Sequence, residues 1–350
     1  MSRAVELARD TIFATLAGSH AHGTARAGSD LDLRGVCVAP LALRVALFER
    51  FEQWEGTPEG SFAALLEPAL RAHPLAAQNL GEKREAVIFD LAKFLKLCCE
   101  ANPNALEILC ADERDWLHAT PLWRRVHAER RLFLTRQVER TFLGYAAAQL
   151  QRIRSHRAWL LEPPREKPTR AAFGLPEEAT LGREDRDRID EALAERLRAT
   201  REEGQPSEAR REQALRSLGL PRDVVHALGA ERRYRAALKH WQAYQTWKAE
   251  RNPARAELER RFGYDTKHAA HLVRLMRMGL ELLQHGELHV RRADAEELRA
   301  IRDGALSYDE LLAQAAALEA RVAEAARETV LPAEVDRGAV EELWWELVRS

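Results

Sequence analysis

Leu16-Ala17-Gly18-Ser19-His20-Ala21-His22-Gly23 and, a short way on, Ser29-Asp30-Leu31-Asp32-Leu33-Arg34-Gly35 are the two runs that decide the fold. The first closes a short apolar stretch, Thr11–Ala17, with Gly-Ser, as a buried strand running into a turn does. The second alternates polar and apolar residues through Val36, Cys37 and Val38, the period of a half-buried strand. Residues i and i+2 of a strand share a face, so Asp30 and Asp32 project together while Leu31 and Leu33 turn to the core. Two adjacent carboxylates repel unless a cation lies between them, and a hard divalent ion is the natural occupant. Gly18 permits close backbone approach, and Ser19 adds a hydroxyl beside N–H groups suited to phosphate oxygens. Metal and phosphate cradle together suit phosphoryl chemistry.

Working outward, Ala86–Phe89 (AVIF) is a third candidate strand, and Glu85 at its entry is the candidate third carboxylate. From Leu91 the apolar period becomes helical, and Asn102-Pro103-Asn104 ends one helix and starts another. Beyond about residue 120 the chain is dense in Ala, Leu, Arg and Glu, and Thr120-Pro121 has the form of an N-cap with proline at the first helical position. Residues 162–182, rich in proline and charge, are expected to form a surface loop, and 183–215 highly charged helices. The expected architecture is an α/β (α+β) domain with a small mixed sheet over 1–118. A large all-helical domain is expected over 119–350.

With 46% hydrophobic residues in 350, the chain can bury a sizeable core; its formal net charge of −1 means that any anion affinity must come from local clustering. Cys37, Cys98, Cys99 and Cys110 form no C-x-x-C pair and fall in apolar runs, which points to buried free thiols in a reducing compartment. No run has the length or apolarity of a secretory signal or a membrane span, so a cytoplasmic protein without membrane contact is expected.

Two basic regions stand out. Between 121 and 160 lie Arg124, Arg125, Arg130, Arg131, Arg136, Arg140, Arg152, Arg154 and Arg157, with Trp123, Tyr145 and Trp159 interspersed. Arginines following a phosphate backbone while aromatics stack on bases would make this an RNA surface, with Arg124, Arg131 and Arg154 the candidate contacts. The competing reading is a solvated helical face over core aromatics. Further on, Asp265 stands where an N-cap belongs and Gly286 where a helix stops; between them Lys267, His271, Arg274 and Arg277 line one face. Such a stripe suits a triphosphate or an RNA backbone, or is simply solvated. His20 and His22 flank the Gly-Ser turn, and either is a candidate phosphate contact or proton shuttle.

Gly18-Ser19 followed by Ser29-Asp30-x-Asp32-x-Arg34-Gly35-Val36 resembles the signature of the polymerase-β-like nucleotidyltransferase superfamily. More narrowly it resembles the predicted nucleotidyltransferases associated with RNA ligases and RNA repair. Phe89-Asp90-Leu91-x-Lys93-Phe94 and Asn102-Pro103-Asn104 with Glu107 resemble a second block of that family. Gly144-Tyr145 with Gln149 and Arg152, and Arg170 to Pro176, resemble middle segments. Tyr264-Asp265-Thr266-Lys267-His268-Ala269-Ala270-His271-Leu272-Val273-Arg274-Leu275 resembles its C-terminal block.

The resemblance implies nucleotide transfer with two Mg²⁺ (or Mn²⁺) ions held by Asp30, Asp32 and Glu85, the last standing where the family usually has Asp. It implies nucleotide and phosphate contacts from Gly18, Ser19, His22, Arg34, Lys267, His268, His271 and Arg274, but not from Arg277. The expected reaction is transfer of a nucleoside monophosphate from a nucleoside triphosphate to an acceptor hydroxyl, with pyrophosphate released. The expected acceptor is an RNA end, tRNA included; a protein or small molecule is the alternative, and a catalytically silent RNA-binding protein a further one.

Overall fold

The computed structural model describes residues 4–48, 50–178, 182–199, 207–251 and 253–349. Five strands form one mixed sheet in the order β3-β4-β2-β1-β5: β1 Thr11–Leu16, β2 Leu31–Cys37, β3 Gln53–Gly56, β4 Arg84–Asp90 and β5 Trp116–Ala119. β2 lies antiparallel to β1 and parallel to β4, which sets Leu31 beside Arg84, Asp32 beside Glu85 and Leu33 beside Ala86. The three strands expected from the sequence are present. β3 and β5 were not legible, being short and carrying no clean alternation.

The alternation in β2 sorts its side chains as expected. Leu31 and Leu33 join Leu16, Ala86 and Ile88 in a buried cluster with Phe62, Leu66 and Leu70 of α1 (Gly60–Ala72). Phe13 and Val36 belong to a second, larger cluster with α2 (Leu91–Cys99), α3 (Pro103–Leu109), α4 (Pro121–Ala128) and α5 (Val138–Leu161). The same cluster contains Leu272 and Leu275 of α6 (Thr266–His285) and Leu311 and Leu318 of α7 (Tyr308–Glu328). The caps follow the residues read for them. Asn102 and Thr120 cap α3 and α4, Asp265 accepts the N–H of His268 at 3.0 Å, and Gly286 closes α6 with φ +68°.

The chain divides into two compact units, Met1–Arg157 with Glu257–Ser350, and Ala158–Ala256. Residues after 118 contribute to the core beneath the sheet: Trp123 stacks on Phe13 at 3.8 Å between centroids. The second unit comprises helices Arg183–Ala199, Glu208–Ser217 and Arg222–Glu250 around Leu193, Ala214, Leu215 and Val225. Residues 162–178, expected to be loop, contain only the short turn Ala171–Phe173.

The four cysteines are free thiols, and burial pushes those of Cys37 and Cys110 up to about 12. Among the described residues no helix is long and apolar enough to cross a membrane.

Candidate active site

β1 ends at Leu16, and Ala17 donates its N–H to the carbonyl of Asp32 at 2.8 Å, holding the turn against β2. Gly18 then opens a short helical turn at φ +56°, a conformation that glycine adopts without cost. A Cβ there would stand 2.5 Å from Oδ2 of Asp32. Glycine is therefore required twice, for its backbone angle and for the room it leaves the carboxylate.

The segment from His20 to Ser29 is pinned at both ends. Asn79 accepts the Gly28 N–H at 2.8 Å through Oδ1 and donates through Nδ2 to Nε2 of His20 at 3.1 Å. Because Nε2 accepts, the His20 proton sits on Nδ1. Burial lowers the pKa of His20, the neighbouring His73 adding to the effect, so its ring is a neutral brace beneath the turn. On the far side, residues 291–303 hold the segment. Arg292 N–H donates to the His22 carbonyl at 3.2 Å, Arg299 to Gly23 at 2.6 Å, and Arg26 grips Asp303 with two hydrogen bonds.

Asp32 and Glu85 are register partners on parallel strands, so their side chains share one face, and Asp30 precedes β2 by one residue. Asp32 is half-buried; Asp30 and Glu85 are exposed. The cation among them is Lys83. Its ammonium pairs with Glu85, which raises its pKa, and the charges of Asp30 and Asp32 raise it further. Glu85 is lowered in turn, first by that hydrogen bond. Arg34, two residues beyond Asp32 on the same face, donates to the Leu33 carbonyl at 2.8 Å and also bears on Glu85. Lys83 thus pairs with one of the three carboxylates and feels the charge of the other two. Sequence reasoning missed Lys83, which immediately precedes β4 and lies two positions before Glu85.

A second group of expected site residues gathers around Glu107 of α3. This carboxylate accepts from Nε2 of His22 at 3.0 Å and from Nη1 of Arg274 at 2.5 Å. Burial alone would raise its pKa, but Arg274 and His22 hold it well below the ordinary carboxylate range. Burial and then Arg274 lower His22, and the same two causes push His271 down to about 3, so both imidazoles are neutral near pH 7. Arg274, only 5% exposed, is committed to Glu107 and to the sulfur of Met278. Arg277 pairs with Asp294 and Glu297. The stripe read along α6 is therefore divided: Lys267 alone of its cations is exposed, and His268 lies beside Asp265 and His156.

Arg124, Arg131 and Arg154 are all exposed, Arg124 over the ring of Trp116 and Arg131 3.6 Å from Glu287. Of the aromatics read with them, Trp123 is core and Trp159 is buried, leaving Tyr145 at the surface.

Comparison with known families bears on this geometry. Residues 3–161 match the model of RlaP, described as the RNA repair pathway DNA polymerase beta family. Over that span the chain is similar to this family. The matched span contains the five-stranded sheet, the Gly18-Ser19 turn and all three carboxylates. The α6 residues lie beyond it. No curated protein and no solved structure matches.

Proposed function

We propose that this chain is a divalent-metal-dependent nucleotidyltransferase that moves a nucleoside monophosphate from a nucleoside triphosphate to the hydroxyl of an RNA end. The observation that carries the proposal is the pairing of Asp32 with Glu85 in register, beside Asp30, against a glycine whose missing Cβ leaves room for the carboxylate. The donors are all carboxylate oxygens and largely open to solvent, which fits Mg²⁺ or Mn²⁺. Divalent ions held by Asp30, Asp32 and Glu85 would acidify an attacking hydroxyl and offset the charge of a departing pyrophosphate.

The chain's own groups do the rest. The turn at Gly18 and Ser19 offers backbone N–H groups and a hydroxyl to phosphate oxygens, and Arg34 adds a cation on the carboxylate face. Lys267, exposed at the start of α6, is the cation of that helix free to meet a phosphate. The Glu107 cluster acts one step back: His22 and Arg274, both bonded to Glu107, hold the end of the Gly-Ser turn to α3 and α6, and with the neighbouring His271 touch no phosphate in this reading. Arg124, Arg131 and Arg154 provide exposed positive charge for an RNA backbone.

The deciding experiment combines each α-labelled nucleoside triphosphate, Mg²⁺ or Mn²⁺, and total cellular RNA, with an Asp30→Ala/Asp32→Ala control. Label joined to RNA by the native protein alone is the expected result. Label on protein or a small molecule with none on RNA would refute the RNA acceptor, and no transfer to any acceptor would refute the activity.

A further inference from the structure

Away from the carboxylates, α5 and the start of α6 bring together three groups that the nucleotidyltransferase reading leaves unused. Nδ1 of His156 and Nε2 of His268 lie 3.5 and 3.7 Å from the same oxygen, Oδ2 of Asp265. All three atoms fall within 4.8 Å of one another.

These separations are longer than a hydrogen bond of about 2.7–3.2 Å. They are close to the edge of a coordination tetrahedron, about 3.4 Å for metal–ligand bonds of about 2.1 Å. Asp265 is divided in a way that suits a ligand. Its Oδ1 accepts the His268 N–H at 3.0 Å as the helix cap, which fixes the carboxylate and aims Oδ2 at the two rings. The side chain of Asp265 is fully buried, while His156 and His268 are 15% and 17% exposed, so an ion can enter from solvent.

We propose that His156, Asp265 and His268 form a second metal site, which binds a borderline transition ion of the Zn²⁺ class and ties α5 to the N-terminus of α6. Two imidazoles and one carboxylate favour Zn²⁺ over Mg²⁺, which prefers oxygen donors and keeps its waters. Three protein ligands leave a fourth position for water. The assignment is independent of the nucleotidyltransferase site, whose donors are carboxylates on the sheet, and it removes His268 from the phosphate-binding set.

The test uses the full chain, stripped with a chelator and titrated with Zn²⁺ in competition with a chromophoric chelator, alongside Co²⁺ substitution read by visible absorption. The expected result is one equivalent of Zn²⁺, retained in Asp30→Ala/Asp32→Ala and weakened at least 100-fold in His156→Ala and in His268→Ala. Bound Co²⁺ should give the intense bands of a four-coordinate ion. His156→Ala is the primary variant, because Asp265 also caps α6; circular dichroism confirms that it folds. Absence of stoichiometric binding, survival of binding in His156→Ala, loss of it in the Asp30/Asp32 variant, or only the weak bands of six-coordinate cobalt would each overturn the proposal.

Discussion

Replacing Gly18 by alanine tests the site through a single methyl group. The new Cβ would stand 2.5 Å from Oδ2 of Asp32, whereas ordinary contact begins at 3.4 Å, so the carboxylate must retreat by about 0.9 Å. A misplacement of about 1 Å in a reacting constellation costs about 100-fold in rate. The substitution also forces a non-glycine residue to φ +56°, at a cost of about 1–2 kcal/mol in stability. Gly28 separates the two effects. It has φ +80° and nothing within 4 Å of its Cβ position, so Gly28→Ala carries the backbone cost without the clash. Unfolding in urea should show both variants destabilised alike. Incorporation of α-labelled nucleotide and titration with Mn²⁺ should show only Gly18→Ala impaired, by about 100-fold in kcat/KM. Equal activity in the two variants, or wild-type Mn²⁺ affinity in Gly18→Ala, would refute the idea that the turn makes room for the metal-binding carboxylate.

Three further outcomes follow from the charge arrangement. Lys83→Ala removes the cation that competes for the three carboxylates; since the pair with Glu85 is exposed, Mn²⁺ binding should tighten by a few-fold only, and weaker binding would show that Lys83 assists the metal. Glu107→Gln leaves Arg274 buried without a counter-charge and should cost about 3–5 kcal/mol in a urea titration, and a loss below about 1 kcal/mol would contradict the buried pair. Acid should destabilise the fold in two stages. His22 and His271 have folded pKa values below their ordinary 6.5, so below that pH the unfolded chain binds protons the folded one refuses. Each histidine then removes about 1.4 kcal/mol per pH unit, for His271 down to about pH 3. Glu107, lowered from 4.5, contributes stability above that value that is lost as the pH falls through its folded pKa, so the decline steepens there. Urea midpoints at several pH values, with His271→Asn flattening the upper stage, check both.

Much of the sheet was legible because strand burial has a period of two. Leu31 and Leu33 against Asp32 and Arg34 announce both the strand and the face of its carboxylates. Helix ends were legible for a similar reason: Asn102-Pro103, Thr120-Pro121, Asp265 and Gly286 act on backbone groups a few residues away. What escaped depends on partners distant in sequence. The spacing of Lys267, His271, Arg274 and Arg277 fixes a helix face, but nothing in it reveals that Glu107, Asp294 and Glu297 meet that face. Trp123, set among arginines, looks like a stacking platform until Phe13 is found against it. Lys83 was overlooked because a lysine beside a glutamate is commonplace; only the parallel pairing of β2 with β4 brings it to the aspartates.

The segment from His22 to Arg26 is held by Arg292, Arg299 and Asp303, well over two hundred residues downstream. During synthesis the strands carrying Asp32 and Glu85 leave the ribosome long before those anchors exist. The nascent chain therefore exposes a sheet and an apolar core still missing α6 and α7, with the Gly-Ser turn unbraced on one side. Chain order thereby delays full bracing of the turn until residues 292–303 are made, so an interrupted product ending near residue 161 would contain every carboxylate of the site and lack one side of the bracing around the segment between them.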